Sequence, residues 1–216
     1  MKACARLGIS FLTLYAFSLE NWKRPRAEVR FLMSLLREYL KETIDDLNEN
    51  NIRLDRIGRI NELSKAVQKD LEEAVKQTSQ NNGMRLTLAL NYGSRAEIVD
   101  ATKELLKCSS HDEELCIDEE AISRSLYTRN LPDPDLLIRT SGELRLSNFL
   151  LWQSAYSEFF FTPKSWPSLD SRDIDFNLFL FAYETILAAI ALNLSAVNFF
   201  LSPNPTTSHL LILPSP

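Results

Sequence analysis

An α/β fold, a single domain with a mostly parallel sheet flanked by helices, follows from three features of the sequence. Short apolar runs rich in β-branched and aromatic residues alternate with stretches of helical periodicity. The runs are apolar on both faces, as strands covered by helices on each side must be. Turn and capping residues fall between the two kinds of segment, where one has to give way to the other.

In chain order, Met1 leads almost directly into Leu7 to Phe17 (LGISFLTLYAF), the first strand pattern. Pro25 then precedes a helix that begins near Ala27, with Val29, Leu32, Met33, Leu36, Leu40, Ile44 and Leu47 at helical spacing. Ile52 to Ile57 is a short strand ending at Gly58, and Leu63, Ala66, Val67, Leu71, Ala74 and Val75 form one side of the next helix. Asn81, Asn82 and Gly83 stop that helix before a third strand, Leu86 to Leu90. Ser94 and Glu97 read as a capping box for a helix that turns Ile98, Val99, Leu105 and Leu106 inward. Asp118 caps a shorter helix, and Asp135 to Arg139 and Glu158 to Phe161 complete the strands. Helices between strands imply βαβ units.

Composition removes several function classes. The chain has 216 residues with a formal net charge of -5, so a basic nucleic-acid face is not expected. Its 5 glycines allow neither a G-x-G-x-x-G nor a G-x-x-x-x-G-K motif. The 2 histidines, His111 and His209, leave little for zinc sites or Ser-His-Asp triads. The 3 cysteines, Cys4, Cys108 and Cys116, show no C-x-x-C spacing and fit reduced thiols in an intracellular setting. Chemistry therefore falls to carboxylates, arginines, amides and hydroxyls.

From residue 174 onward the only charges are Asp175 and Glu184. As a helix, Phe176 to Leu201 would be about 39 Å long, enough to cross a bilayer core of about 30 Å. Glu184, Asn177, Asn193, Asn198 and the lack of basic flanks oppose that reading. The final segment, SPNPTTSHLLILPSP, reads as an unstructured tail.

Ligands of open parallel sheets bind beyond the carboxyl ends of the strands. Three polar clusters stand there. Ser18, Glu20, Asn21, Trp22, Lys23 and Arg24 follow the first strand. Arg139, Thr140, Ser141, Gly142, Glu143, Leu144, Arg145, Leu146, Ser147 and Asn148 follow Leu136 to Ile138. Their guanidinium forks, hydroxyls and backbone donors suit the many acceptor oxygens of a diphosphate. Third, Glu158 sits between Tyr156 and an all-Phe run, where a carboxylate calls for a partner, and Mg2+ is one that would fit.

YAFSLENWKRP (Tyr15 to Pro25), LNYGSR (Leu90 to Arg95), LPDPDLLIRTSGELRLSNFLLWQ (Leu131 to Gln153) and AYSEFFF followed by Trp166 and Pro167 resemble the cis-prenyltransferases, the undecaprenyl diphosphate synthase family, in order and spacing. The resemblance implies condensation of isopentenyl diphosphate with an allylic prenyl diphosphate to give a cis-polyprenyl diphosphate, with Mg2+ as cofactor. It assigns isopentenyl diphosphate to Arg139, Arg145 and Ser147 with Arg24, and places Leu146 among them. Asn21 matches the residue of the proton-removal step, while Ser18, Leu19, Glu20 and Trp22 match its substrate-lining neighbours. Glu158 matches the metal ligand. Val29, Phe31, Leu32, Met33 and Leu36 match a wall of the tunnel that houses the growing chain.

The family's opening strand and helix, with an Asp-Gly-Asn-Gly-Arg motif, have no counterpart here, and neither does its basic terminus. The expected organisation is thus a domain over 1-173 lacking that first strand and helix, then a divergent segment over 174-216. A homodimer, or a heteromer with a related subunit, is expected, in the cytoplasm or in association with a plastid or the endoplasmic reticulum. The rival reading is a non-catalytic subunit of a competent cis-prenyltransferase, anchored to a membrane through 176-201.

Overall fold

The structure is a computed structural model that describes residues 1-108, 117-165, 168, 172 and 209-213. Its sheet has six strands: β1 (Phe11–Ser18), β2 (Arg53–Ile57), β3 (Arg85–Tyr92), β4 (Leu136–Arg139), β5 (Glu158–Phe161) and β6 (His209–Leu213). They lie in the order β2-β3-β1-β6-β4-β5, every neighbouring pair parallel. Parallel pairing buries a strand on both faces, and every residue of β4 and all but the first of β3 are buried accordingly.

Helices α1 (Lys2–Arg6), α2 (Arg26–Glu42), α3 (Ile44–Glu49), α4 (Lys65–Gln77), α5 (Ser94–Cys108) and α6 (Glu119–Ser125) complete the fold. The main core joins Val29 and Leu40 of α2, Val67 and Leu71 of α4, and Leu12, Leu54, Leu86 and Leu88 of the sheet. Ser64 caps α4 by accepting the Val67 N–H, and Asp118 caps α6 through Ala121.

Several expectations give way. Residues 2-6 form α1, and Gly8, at φ +76°, turns the chain so that β1 starts at Phe11 and not at Leu7. The long helix breaks at Thr43, whose hydroxyl donates to the Tyr39 carbonyl, so Ile44 and Leu47 belong to α3. Ser94 and Glu97 form no capping box. The Ser94 hydroxyl accepts the Leu151 N–H, and the buried Glu97 carboxylate accepts from the Tyr127 N–H, the Gln153 amide and the Tyr92 hydroxyl. Because Glu97 and Ala101 face inward, Val99 and Leu106 stand exposed, 48% and 56%.

The tail differs most. His209–Leu213, expected to be unstructured, is the strand β6 between β1 and β4. Phe11 stands opposite His209 on one side, and Leu136 opposite Leu210 on the other. The His209 ring is pinned twice: Nδ1 donates to the Pro132 carbonyl at 2.8 Å, and Nε2 accepts the Thr13 hydroxyl at 2.8 Å. Its backbone N–H donates to the Asp135 carboxylate at 2.9 Å. Burial pushes the imidazole down to about 4, with Arg85 acting in the same direction and the Pro132 carbonyl opposing. Segment 176-201 lies outside the described residues. No described helix is long and apolar enough to cross a membrane.

Candidate active site

Three of the loops that leave the carboxyl ends of the strands meet over β1, β3 and β4. The first is a 3-10 turn, Leu19–Lys23, closed by a reciprocal cap in which the Asn21 Oδ1 accepts the Ser18 N–H at 2.8 Å. A register irregularity at Ala16 of β1 precedes it, a device common beside active sites because it re-aims side chains. The second loop, Gly93 to Arg95, leads into α5. The third runs from Arg139 to Leu150 and holds Ser141, Ser147, Asn148 and Leu150 at positive φ, as it does Gly142. Left-handed backbone at non-glycine residues is costly, and at Leu150 particularly so. Buried anchors hold it: Phe149 stacks on Tyr15 with ring centroids 4.4 Å apart, and Leu150 is 1% exposed.

A cavity of about 590 Å3 opens between these loops, lined by Ser18, Glu20, Asn21, Arg24, Arg139, Arg145, Ser147 and Asn148. Arg139 ends β4 and is 1% exposed, with Nη2 donating to the Ser147 hydroxyl at 3.4 Å. Burial lowers its pKa from the ordinary arginine value, with Arg145 adding in the same direction and Glu143 opposing. Arg24 faces Glu28 at 3.6 Å, and Arg145 is ion-paired with Glu143. Exposed pairs of this kind contribute at most about 1 kcal/mol, so an anion with several oxygens can replace those carboxylates at small cost.

Tyr15, Ala16 and Leu32 line this cavity and also a second one of about 350 Å3. The second is apolar, walled by Leu14, Phe17, Met33, Leu35, Leu36 and Tyr39 among others. Phe31, expected on the same wall, points away and is 67% exposed. A charged mouth thus adjoins an apolar chamber under α2.

Other expected residues support the cavity or lie apart. Trp22 donates its indole N–H to the Asn91 Oδ1 at 2.6 Å and meets Phe17 edge-on. Leu19 packs at Gly93, where an added Cβ would come 3.1 Å from its Cδ1. Leu146 packs against the buried cluster that includes Tyr15 and Phe149. Glu158 is exposed at the amino end of β5, level with Leu136, whereas Arg139 is level with Phe161. Three residues of strand put them about 10 Å apart along the axis. Among the described residues no group of three or more His, Cys, Asp or Glu could hold a metal ion.

Two contributors were given no individual role by the sequence: Asn91 within LNYGSR, and Asn148, the last residue of the polar cluster after Leu136 to Ile138. Asn91, fully buried at φ 49°, receives the Trp22 indole and donates to the Arg59 carbonyl at 3.0 Å and to Glu62 at 3.1 Å. Asn148 lines the cavity and ties its loops together. Asn148 beside Ser147 looks like ordinary turn chemistry and Asn91 sits in an apolar strand run, so the only sequence signal of either is a tolerance of positive φ.

Fold and cavity together define a parallel α/β protein with an arginine-lined cavity beside an apolar chamber. Comparison with known proteins is specific: residues 1-186 match the prenyltransferase family described as undecaprenyl diphosphate synthase. The chain is 46% identical to an isoprenyl transferase of Clostridium perfringens over 180 residues, covering 81% of this chain and 70% of that one. With an isoprenyl transferase of Oceanobacillus iheyensis the identity is 48% over 173 residues, covering 79% and 68%. A probable undecaprenyl diphosphate synthase of Campylobacter jejuni has a similar crystal structure, with a TM-score of 0.76, 36% identity and 84% of each chain covered. So does lavandulyl diphosphate synthase of Lavandula x intermedia in complex with dimethylallyl diphosphate, with a TM-score of 0.79, 35% identity and 83% and 78% covered. The chain belongs to the undecaprenyl diphosphate synthase family of prenyltransferases and is a transferase enzyme of the cis-prenyltransferase type.

Proposed function

We propose that the 590 Å3 cavity holds isopentenyl diphosphate and that the adjoining 350 Å3 chamber receives the prenyl chain of the allylic partner. The observation that carries this reading is the convergence of Arg24, Arg139, Arg145 and Ser147 on one cavity whose far wall is apolar. Guanidinium forks match phosphate oxygens two at a time, and each CH2 of a prenyl chain gains about 0.8 kcal/mol on burial. In the condensation the allylic carbon–oxygen bond breaks and diphosphate leaves with the electron pair. The alkene of isopentenyl diphosphate supplies the electrons of the new carbon–carbon bond, and a proton is then lost from the adjacent carbon. Arg139, Arg145 and Arg24 fix the nucleophile's diphosphate, which converts an encounter of two substrates into an oriented approach.

Asn21, expected to take part in proton removal, stands in the wall of the cavity. Its Oδ1 accepts the Ser18 N–H and keeps a second lone pair, and its amide N–H2 is a donor for phosphate oxygen. In this reading the proton passes to an oxygen of the departing diphosphate.

Family members generally need a divalent metal, and we take it here to be Mg2+, which binds readily through substrate phosphates with one or two carboxylates. The position of Glu158, about 10 Å along the strand from Arg139, does not fit an ion shared with a diphosphate at the arginines, and no step is routed through the metal. Edge strand β5, which exposes Phe159 and Phe161, supports pairing with a second copy or a related subunit. Buried Cys4, free of any disulfide, is in keeping with an intracellular site. The non-catalytic membrane subunit is not favoured, because the substrate-binding residues of an enzyme line one cavity.

Calorimetric titration with isopentenyl diphosphate tests the proposal. Removing one charged contact with Arg145→Ala should weaken binding about 10-fold, and Arg139→Ala by up to about 100-fold. Binding that is unchanged in the folded Arg145→Ala and Ser147→Ala proteins would overturn it.

A further inference from the structure

Asn148 touches all three loops over the carboxyl ends of β1, β3 and β4. Its carbonyl accepts the Ser94 N–H at 2.8 Å, and its Oδ1 accepts the Arg95 N–H at 2.9 Å, both at the start of α5. Its Nδ2 donates to the Glu20 Oε1 at 3.0 Å, across 128 residues of sequence. Its own backbone belongs to the arginine loop, at φ 62° directly after Ser147 at φ 49°. Gly93 makes room for it, since a Cβ there would stand 2.8 Å from Nδ2. Glu20 and Asn148 both line the cavity, together with Asn21 and Arg24 from the first loop and Arg139, Arg145 and Ser147 from the third.

We propose that Asn148 is a positioning residue that fixes the distance between the two halves of the diphosphate grip through its hydrogen bond to Glu20, an inference that rests on the reading of the cavity given above. Arg24 and Asn21 ride on the turn that carries Glu20, and Arg139 and Ser147 on the segment that carries Asn148. A diphosphate held from both sides needs both at a set separation, because a misplacement of about 1 Å costs on the order of 100-fold in productive geometry. Asparagine suits the place on three counts: it tolerates left-handed backbone, its oxygen serves the first turn of α5, and its nitrogen serves a carboxylate.

Asn148→Asp separates these duties. Aspartate also tolerates positive φ, and its oxygen still accepts the Arg95 N–H, where the start of a helix favours negative charge. What is lost is the donor to Glu20, replaced by a carboxylate facing a carboxylate. Glu20→Gln in the same chain restores one donor and one acceptor in reversed order.

Titration with isopentenyl diphosphate should show Asn148→Asp about 10-fold weaker than the unaltered protein. The pair Glu20→Gln with Asn148→Asp should recover to within about 3-fold of Glu20→Gln alone. A purely structural part for Asn148 would produce no such rescue, and the folded state is followed in parallel by the melting temperature. An Asn148→Asp protein that binds within 2-fold of the unaltered one, or a swapped pair no better than Asn148→Asp alone, would overturn this inference while leaving the cavity's function intact. Failure of the unaltered protein to bind isopentenyl diphosphate would overturn the reading of the cavity itself, and the inference with it.

Discussion

The two rims of the sheet use the same kinds of residue in opposite ways. At the amino-end rim, charged and polar side chains are matched within the protein. Arg85 pairs with Asp55 and donates to the Asn130 carbonyl, and His209 is bonded through both ring nitrogens and its backbone N–H. At the carboxyl-end rim, Arg24 and Arg145 are ion-paired with partly exposed carboxylates, and five residues of the loop after β4 take up left-handed backbone. The first rim uses these groups to close the fold, whereas at the second Arg24 and Arg145 stay accessible to a ligand and the loop beside them holds strained backbone. Arginine content alone therefore does not mark a site; the quality of the partners does.

The sharpest way to break that contrast is at the amino-end strand β6. Leu211→Pro removes a ladder N–H from a strand with neighbours on both sides, and should cost about 3 kcal/mol or more. A fall in melting temperature of several degrees is the expected outcome in calorimetry.

Next comes pH. The native His209 imidazole titrates at about 4, below its ordinary value, so the folded state prefers it neutral. The stability it contributes is complete above about 6.5 and is lost as pH falls from there toward 4, amounting to roughly 2 to 4 kcal/mol. The groups facing it are the Thr13 hydroxyl, the Pro132 carbonyl, the Asp135 carboxylate, the Phe11 ring and the charge of Arg85. Glu97, whose pKa burial raises, acts with opposite sign in the same range. The check is therefore a difference: unfolding free energy against pH for the unaltered protein minus that for His209→Gln, which should decline between pH 6.5 and 4.5.

At the other rim the pattern reverses. Arg145→Ala should lose about 10-fold in affinity for isopentenyl diphosphate while its melting temperature moves by no more than about 2 °C, because the Arg145 side chain is 62% exposed. Smallest of all, Phe31→Lys on the outer face of α2 should change stability by less than about 0.5 kcal/mol and leave binding untouched, as seen by denaturant titration.

Much of this was legible in the sequence where local and tertiary preferences agree. β1, β3 and β4 read as apolar runs because parallel strands are buried on both faces, and the arginine loop was found by its place after Leu136 to Ile138. His209–Leu213 was not, because five apolar-rich residues among prolines, serines and threonines look like a tail, and only pairing with β1 and β4 makes them a strand. Glu97 resembled a capping residue because spacing cannot reveal that Tyr92, Tyr127 and Gln153 converge on it. The particular parts of Asn91 and of Asn148, the latter visible only as one member of the polar cluster after β4, stayed hidden for a related reason: their backbone sign and their partners belong to the folded chain alone.

The placement of β6 also sets the order in which the protein can be assembled during synthesis. β1 and β3 can pair once residue 92 has emerged from the ribosome, and β4 and β5 once residue 161 has. These two blocks have no direct ladder between them, and the strand that joins them meets β1 across 196 positions of sequence at Thr13 and His209. Closing so distant a contact is slow in proportion to the chain entropy it removes. Until residue 213 is released, the facing edges of β1 and β4 have no strand between them and are open to pairing with other chains.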